Sequence, residues 1–124
     1  MNKKRPKHLA LHLIKLPLPG IVSILHRISG LLLFCALPLL LLMLQYSLRS
    51  IETYTQLTEV LRLPLIKIML IGLLWAFLHH FCAGVRYLVI DLDYGVRLAQ
   101  ARASSKWVIF VSLALTVLIG VKLW

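Results

Sequence analysis

The sequence predicts an all-α integral membrane protein, a bundle of three transmembrane helices. Of its residues, 60% are hydrophobic and only 15% are charged, a balance that suits lipid better than a soluble domain of 124 residues. Lys and Arg outnumber Asp and Glu by 14 to 4, but they flank the apolar runs and form no single solvated face. We therefore expect one membrane domain over residues 1–124, in contact with lipid and with no nucleic-acid partner.

Three segments reach the length of about 20 residues that a helix needs to cross the hydrocarbon core. The predicted helices cover about residues 20–46, 64–90 and 106–124. Pro38 falls inside the first helix and is expected to bend it, a cost that neighbouring helices absorb in a membrane. The first apolar run has no small-x-small cleavage site at its end, so we expect a retained helix and not a signal peptide. Cys35 and Cys82 lie within apolar runs and are interpreted as small buried hydrophobes.

The basic residues of the connections predict the orientation. Five precede Arg27 in the N-terminal segment, and the segment from Arg86 to Lys106 carries four with its two end residues included. Those of the first loop, Arg49 and Arg62, are offset by two glutamates. The positive-inside rule then places the N-terminus and the second loop in the cytoplasm and the C-terminus outside. We expect a multi-pass membrane protein.

Two adjacent histidines interrupt the apolar run of the second helix. Gly72, Ala76, His80 and Gly84 recur every four residues and form one stripe, on which small residues let a helix or a flat ligand approach closely. His79 lies about 100° round the helix in a bulkier neighbourhood. If one histidine of the pair is a ligand to haem iron, the stripe favours His80. A buried histidine that hydrogen-bonds a neighbouring helix is the alternative.

A second axial ligand is not evident in the chain. His79 and His80 are neighbours on one helix and cannot bind opposite faces of one iron. His8 and His12 belong to the cytoplasmic segment, and His26 is expected several ångströms shallower than the iron ligand. A haem with two histidine ligands would therefore take the second from another chain.

Two polar groups lie at the cytoplasmic ends of the helices. Ser23 and Arg27 are four residues apart on one face of the first helix, and together they can hold a quinone oxygen or a haem propionate. An ordinary positive-inside anchor is the competing interpretation. Asp91 follows the second helix, where it could belong to a proton route to a reducible headgroup or to a solvated surface ion pair.

These motifs resemble those of a known family. Arg5-Pro6, the run Ser-Ile-Leu-His-Arg-Ile-Ser-Gly at 23–30, and His80 followed by Gly84-Val85-Arg86 and Asp91 look like the cytochrome b large-anchor subunit of succinate dehydrogenase. The resemblance covers nearly the whole chain. It implies a three-helix subunit that pairs with a second small membrane anchor, shares a haem b with it, and docks an iron–sulfur subunit and a flavoprotein subunit on the cytoplasmic side.

The resemblance also assigns roles to particular residues. The haem iron ligand falls on His80, and the serine and arginine of the ubiquinone site fall on Ser23 and Arg27. His26, Arg27 and Arg86 fall on the propionate side of the haem. The chain would thus belong to a succinate:quinone oxidoreductase without itself oxidising succinate, and no catalytic residue is assigned to it.

One departure and two alternatives remain. Many members of this family have His after the Gly-x-Arg arginine, where this chain has Tyr87, a phenol that does not become cationic near neutral pH. The anchor of a fumarate reductase would carry the same motifs, because the motifs do not set the direction of electron flow. A haem-free structural anchor, in which the histidines only pack, is the alternative from a different class.

Overall fold

The computed structural model describes residues 15–123 of the chain, and it arranges them as four α-helices. We number them α1 to α4 in chain order: Leu18–Ser47, Ile51–Leu61, Pro64–Asp91 and Leu98–Leu123. All but α2 are long and apolar enough to cross a membrane. The described residues contain no β-strand. The predicted all-α class with three membrane helices is therefore confirmed.

Proline chemistry marks the start of two long helices. Proline occupies the first turn of α1 and the first position of α3, where the missing N–H would have no helical partner. The third membrane helix begins at Leu98, about eight residues before the start that hydropathy indicated. The segment from Leu98 to Ser105 is rich in good helix formers such as Ala, Gln and Arg, so the helix continues beyond the apolar stretch.

The short helix α2 lies in what the sequence analysis treated as a loop. A capping box begins it: the Ser50 hydroxyl accepts from the Thr53 backbone N–H at 3.2 Å, and the Thr53 hydroxyl accepts from the Ser50 N–H at 3.0 Å. Hydrogen bonding from Ser50 lowers the pKa of the Glu52 carboxyl in the same turn. At 11 residues α2 is too short and too polar for a search based on membrane-spanning hydropathy.

The helix α3 packs along both α1 and α4. Val22 of α1, Ala83 of α3 and Val108 of α4 form the apolar cluster in which the three long helices meet. Except for Leu78, the buried residues of α3 and α4 follow one stripe on each helix, and those of α4 are all small, which lets the two backbones approach closely. They are Ala76, Leu78, His79, Ala83 and Arg86 on α3, and Ser105, Val108, Ser112 and Thr116 on α4.

Hydroxyl groups line the buried stripe of α4 without needing a partner from another helix. Ser105 donates to the Ala101 carbonyl at 2.7 Å, and Thr116 donates to the Ser112 carbonyl at 2.7 Å. Ser112 donates in turn to the Ile109 carbonyl at 3.0 Å. Each hydroxyl therefore satisfies its donor within its own helix, and the stripe presents a small surface to α3.

Most large apolar side chains of the long helices lie on the outer surface of the bundle. On α1 only Val22 and Ser29 are buried, while Phe34 keeps 75% of its surface exposed. Cys35 is also exposed and Cys82 is half-buried, and both are free thiols. An apolar exterior of this extent indicates that lipid or another membrane subunit covers it.

The positive-inside argument predicts that α2 lies outside the membrane and that the start of α4 lies in the cytoplasm. A cysteine placed at exposed Thr55 should react with a membrane-impermeant maleimide in intact spheroplasts. A cysteine at exposed Gln100 should react only after lysis. The opposite pattern of labelling would contradict the orientation, and the unsubstituted chain reports any reaction of its own two cysteines.

Candidate functional site

The His80 side chain lies between α3 and α1. Its Nδ1 is 3.0 Å from the His26 carbonyl oxygen and 3.2 Å from the Ser29 hydroxyl. Ser29 itself donates to the same carbonyl at 2.9 Å. Two residues one helical turn apart on α1 thus hold one nitrogen of an imidazole that belongs to α3.

These contacts indicate which ring nitrogen carries the proton. A carbonyl oxygen can only accept, so the short contact with His26 requires a proton on Nδ1 of His80. In that tautomer Nε2 has a free lone pair. It makes no hydrogen bond to any residue in the described range.

The His26 and His80 rings stack on each other. Their centroids are 4.2 Å apart and their planes differ by 8°. The ring of His26 passes over Gly84, where an added Cβ would lie 3.7 Å from its Nε2. Two axial ligands of one iron approach it from opposite faces, whereas these rings lie face to face. The arrangement therefore does not provide a pair of axial ligands within this chain.

His79 is the more deeply buried histidine of the pair. None of its surface is exposed, and neither ring nitrogen has a hydrogen-bond partner among the described residues. The Trp75 ring is its neighbour at a centroid distance of 5.3 Å. The stripe through His80 instead faces α1, and at Gly72 it meets open space. The interior of the isolated bundle thus contains His79, and the surface that a ligand could reach contains His80.

Ser23 and Arg27 lie near the start of α1. Ser23 is half-buried and Arg27 is exposed. The Arg27 guanidinium has no ion pair or hydrogen bond with another residue between 15 and 123. Both side chains are accordingly available to a ligand or to another subunit.

Arg86 is buried between α3 and α4, where its guanidinium is hydrogen-bonded to α4. Only 8% of its surface is exposed, its Nε donates to the Ser104 hydroxyl at 2.8 Å, and one Nη donates to the Ala101 carbonyl at 3.3 Å. The guanidinium carbon also lies 5.3 Å from the centre of the Tyr87 ring. Its role on the propionate side of a haem stays a prediction. Asp91 is exposed at the last residue of α3.

The residues around His80 fit a haem iron ligand. A histidine that binds a metal usually donates its second N–H to a carbonyl or carboxylate, which fixes the tautomer and the ring orientation. Here the His26 carbonyl accepts from Nδ1 and leaves Nε2 free for iron. This arrangement supports His80 as an iron ligand. A haem bound at Nε2 would leave the hydrogen bond between Nδ1 and the His26 carbonyl intact.

Sequence reasoning did not identify Ser29 and Gly30 as supports of His80. A Cβ at Gly30 would lie 2.9 Å from Cε1 of the His80 ring. The signal was present, because Ser29 and Gly30 follow His26 by three and four residues and share its face of the helix. The sequence alone did not show that this face of α1 packs against the stripe of α3 that contains His80.

Comparisons with known proteins show what the whole chain is similar to. Residues 1–119 match the model of the family described as succinate dehydrogenase/fumarate reductase transmembrane subunit. The chain is 38% identical to the succinate dehydrogenase cytochrome b556 subunit of Coxiella burnetii over 100% of both chains. It is 36% identical to the subunit of the same name from Paracoccus denitrificans, over 92% of this chain and 88% of that one. The corresponding Rickettsia felis protein is 32% identical over 95% and 92% of the two chains.

The Arg86 contact predicts a specific loss of stability. Ser104→Ala leaves the buried Nε of Arg86 without its acceptor, which should cost about 1–3 kcal/mol of unfolding free energy. Thermal unfolding of the purified protein with its partner subunits measures the cost. Ser47→Ala is the control, because that hydroxyl donates only to the Leu44 carbonyl of its own helix. Equal unfolding midpoints for the two variants would contradict the assignment.

Proposed function

The chain belongs to the cytochrome b membrane anchors of succinate dehydrogenase, and from this we propose that it binds haem b and forms part of a ubiquinone-reduction site. In this proposal it pairs with a second small anchor subunit. The pair docks an iron–sulfur subunit and a flavoprotein subunit, which oxidise succinate and pass electrons to the membrane. The anchor supplies binding and orientation.

The observation that carries the haem proposal is the 3.0 Å contact between Nδ1 of His80 and the His26 carbonyl oxygen, from which the tautomer is inferred. Its Nδ1–H is held by the His26 carbonyl, and its Nε2 keeps a free lone pair. Bound there, haem would supply an iron that accepts and returns one electron. The chain's own contribution is to hold the ring, to fix its tautomer and to exclude water from Nδ1 by packing it against α1.

The second axial ligand is proposed to come from the partner anchor. His26 stacks on His80, and His79 lies about 100° round α3 from His80, in the interior, with no exposed surface. Neither is placed to act as a second ligand together with Nε2 of His80. The largely exposed apolar surface of α1 and the open space at Gly72 leave room for another membrane subunit and a flat macrocycle.

Ser23 and Arg27 are proposed to bind the quinone. A hydroxyl can donate a hydrogen bond to a quinone carbonyl, and a guanidinium stabilises the negative charge that develops on that oxygen during reduction. The exposure of Arg27 and the partial exposure of Ser23 leave both groups accessible. Asp91, exposed at the end of α3, is proposed to deliver protons from the cytoplasm.

The cytoplasmic surface is proposed to receive the soluble subunits. Arg97, Arg102 and Lys106 are exposed on and just before the first turns of α4. Together with the basic N-terminal segment they provide a cationic surface for anionic lipid headgroups and for docked subunits. This proposal requires a multi-pass protein in a bacterial inner membrane, with the N-terminus and the start of α4 on the cytoplasmic side.

A fumarate reductase anchor is the second candidate, because the matching family includes the transmembrane subunits of both enzymes. The names of the relatives favour succinate oxidation. The ratio of succinate oxidation to fumarate reduction, measured on the purified complex with ubiquinone and with a low-potential quinone, distinguishes the two directions. A complex that favours fumarate reduction with both quinones would reject the leading proposal.

Substitution of the two adjacent histidines tests the ligand assignment. His80→Leu should abolish the haem signal in the reduced-minus-oxidised spectrum of the complex. His79→Leu should keep it, because a leucine replaces a buried imidazole that has no hydrogen-bond partner in the described structure. If haem were retained in His80→Leu and lost in His79→Leu, His79 would be the ligand in place of His80. If the unsubstituted complex contained no haem, neither histidine would be a haem ligand.

The quinone proposal is tested by kinetics at the start of α1. Arg27→Ala should raise KM for ubiquinone about tenfold, the cost of one hydrogen bond from a charged donor. Ser23→Ala should raise it by a smaller factor. Oxidation of succinate by a soluble electron acceptor should not change in either variant. Arg49→Ala, an exposed arginine just after the other end of α1, is the control, and an equal effect there would refute a specific role for Arg27.

A further inference from the structure

Gly30 lies inside α1, in contact with the proposed haem ligand. Glycine weakens a helix interior relative to alanine, so its presence there calls for a structural reason. An added Cβ would lie 2.9 Å from Cε1 of His80, closer than non-bonded carbon atoms approach, and 3.3 Å from Nδ1, which is a tight contact. The three atoms nearest to that position all belong to the His80 imidazole.

We propose that Gly30 is a positioning residue for His80, in that its missing side chain lets the imidazole lie against α1 with Nδ1 on the His26 carbonyl. The expected effect on haem rests on the proposed function, because it requires His80 to be an iron ligand. The contact itself is a property of the α1–α3 interface. Ser29 completes the arrangement, since its hydroxyl lies 3.2 Å from the same nitrogen.

A methyl group at position 30 would force the imidazole to move. The ring could avoid the methyl only by drawing Nδ1 away from the His26 carbonyl, which is 3.0 Å away. A histidine that loses the acceptor of its second N–H is a less basic ligand with a less fixed orientation. A less basic ligand stabilises ferric iron less. The expected consequences are weaker haem retention and a more positive midpoint potential.

The first experiment compares two glycine-to-alanine variants of the purified complex. Gly30→Ala should lower the haem content per complex and shift the haem midpoint potential to more positive values. Gly120→Ala in α4 is the control, because an added Cβ meets nothing within 4 Å there, and both readouts should match the unsubstituted complex. Unchanged haem content and potential in Gly30→Ala would overturn the inference. Absence of haem from the unsubstituted complex would overturn the proposed function instead.

The second experiment needs no haem and asks whether His80 is the cause of the effect. Gly30→Ala is combined with His80→Ala, and the thermal midpoint of the complex is measured for all four members of the cycle. Gly30→Ala should lower the midpoint by about 5 °C when His80 is present. When His80 is absent it should leave the midpoint unchanged or raise it slightly, because alanine favours a helix interior. If Gly30→Ala prevents assembly, the amount of chain in the membrane replaces the midpoint and should recover in the double variant. Equal losses in both backgrounds would overturn the proposed contact.

Discussion

The contact between the His80 imidazole and the α1 backbone links the two helices on which the proposed chemistry depends. A carbonyl inside a helix already accepts from its own helix, yet the His26 carbonyl also accepts from Ser29 and from Nδ1 of His80. In an apolar bundle such an interhelical hydrogen bond has no water to compete with it. It fixes the angle of the ring, and it thereby decides which nitrogen faces outward from the contact.

The same contact explains why the two histidines of α3 have such different surroundings. His79 enters the interior where α1, α3 and α4 meet, and its ring has only packing partners among the described residues. His80 is held at the seam between α1 and α3, beside the surface that lipid or a second subunit must cover. Burial alone would select His79 as the important residue. His80 is favoured instead, because its Nδ1 is hydrogen-bonded and its Nε2 has no hydrogen-bond partner among the described residues.

Hydropathy, basic residues and helical spacing predicted much of this structure. The three membrane helices that they predicted are confirmed, while the choice of His80 over its neighbour as a ligand stays a prediction. They missed α2, whose Ser50 and Thr53 capping box is a local signal that a membrane-length window does not detect. They also placed the start of the last helix too late, because Leu98 to Ser105 is helical by propensity and not by hydropathy. The contact of His26, Ser29 and Gly30 with His80 joins residues 50 or more positions apart, and single-helix periodicity carries no information about such a pairing.

The pairing of the helices also limits what one chain can do. Both hydrogen-bonding contacts that orient His80 come from α1 and reach Nδ1, and the described residues form no hydrogen bond with Nε2. Arg86 is turned toward α4, and Arg27 is exposed without a partner in the described range. Under the proposed function, the chain would therefore provide one side of a haem site and an accessible pair of groups for a quinone. A second subunit at the exposed surface of α1 would supply the other side of the haem site and of the quinone site. The orientation of the His80 imidazole and the assembly of the complex are therefore expected to depend on each other.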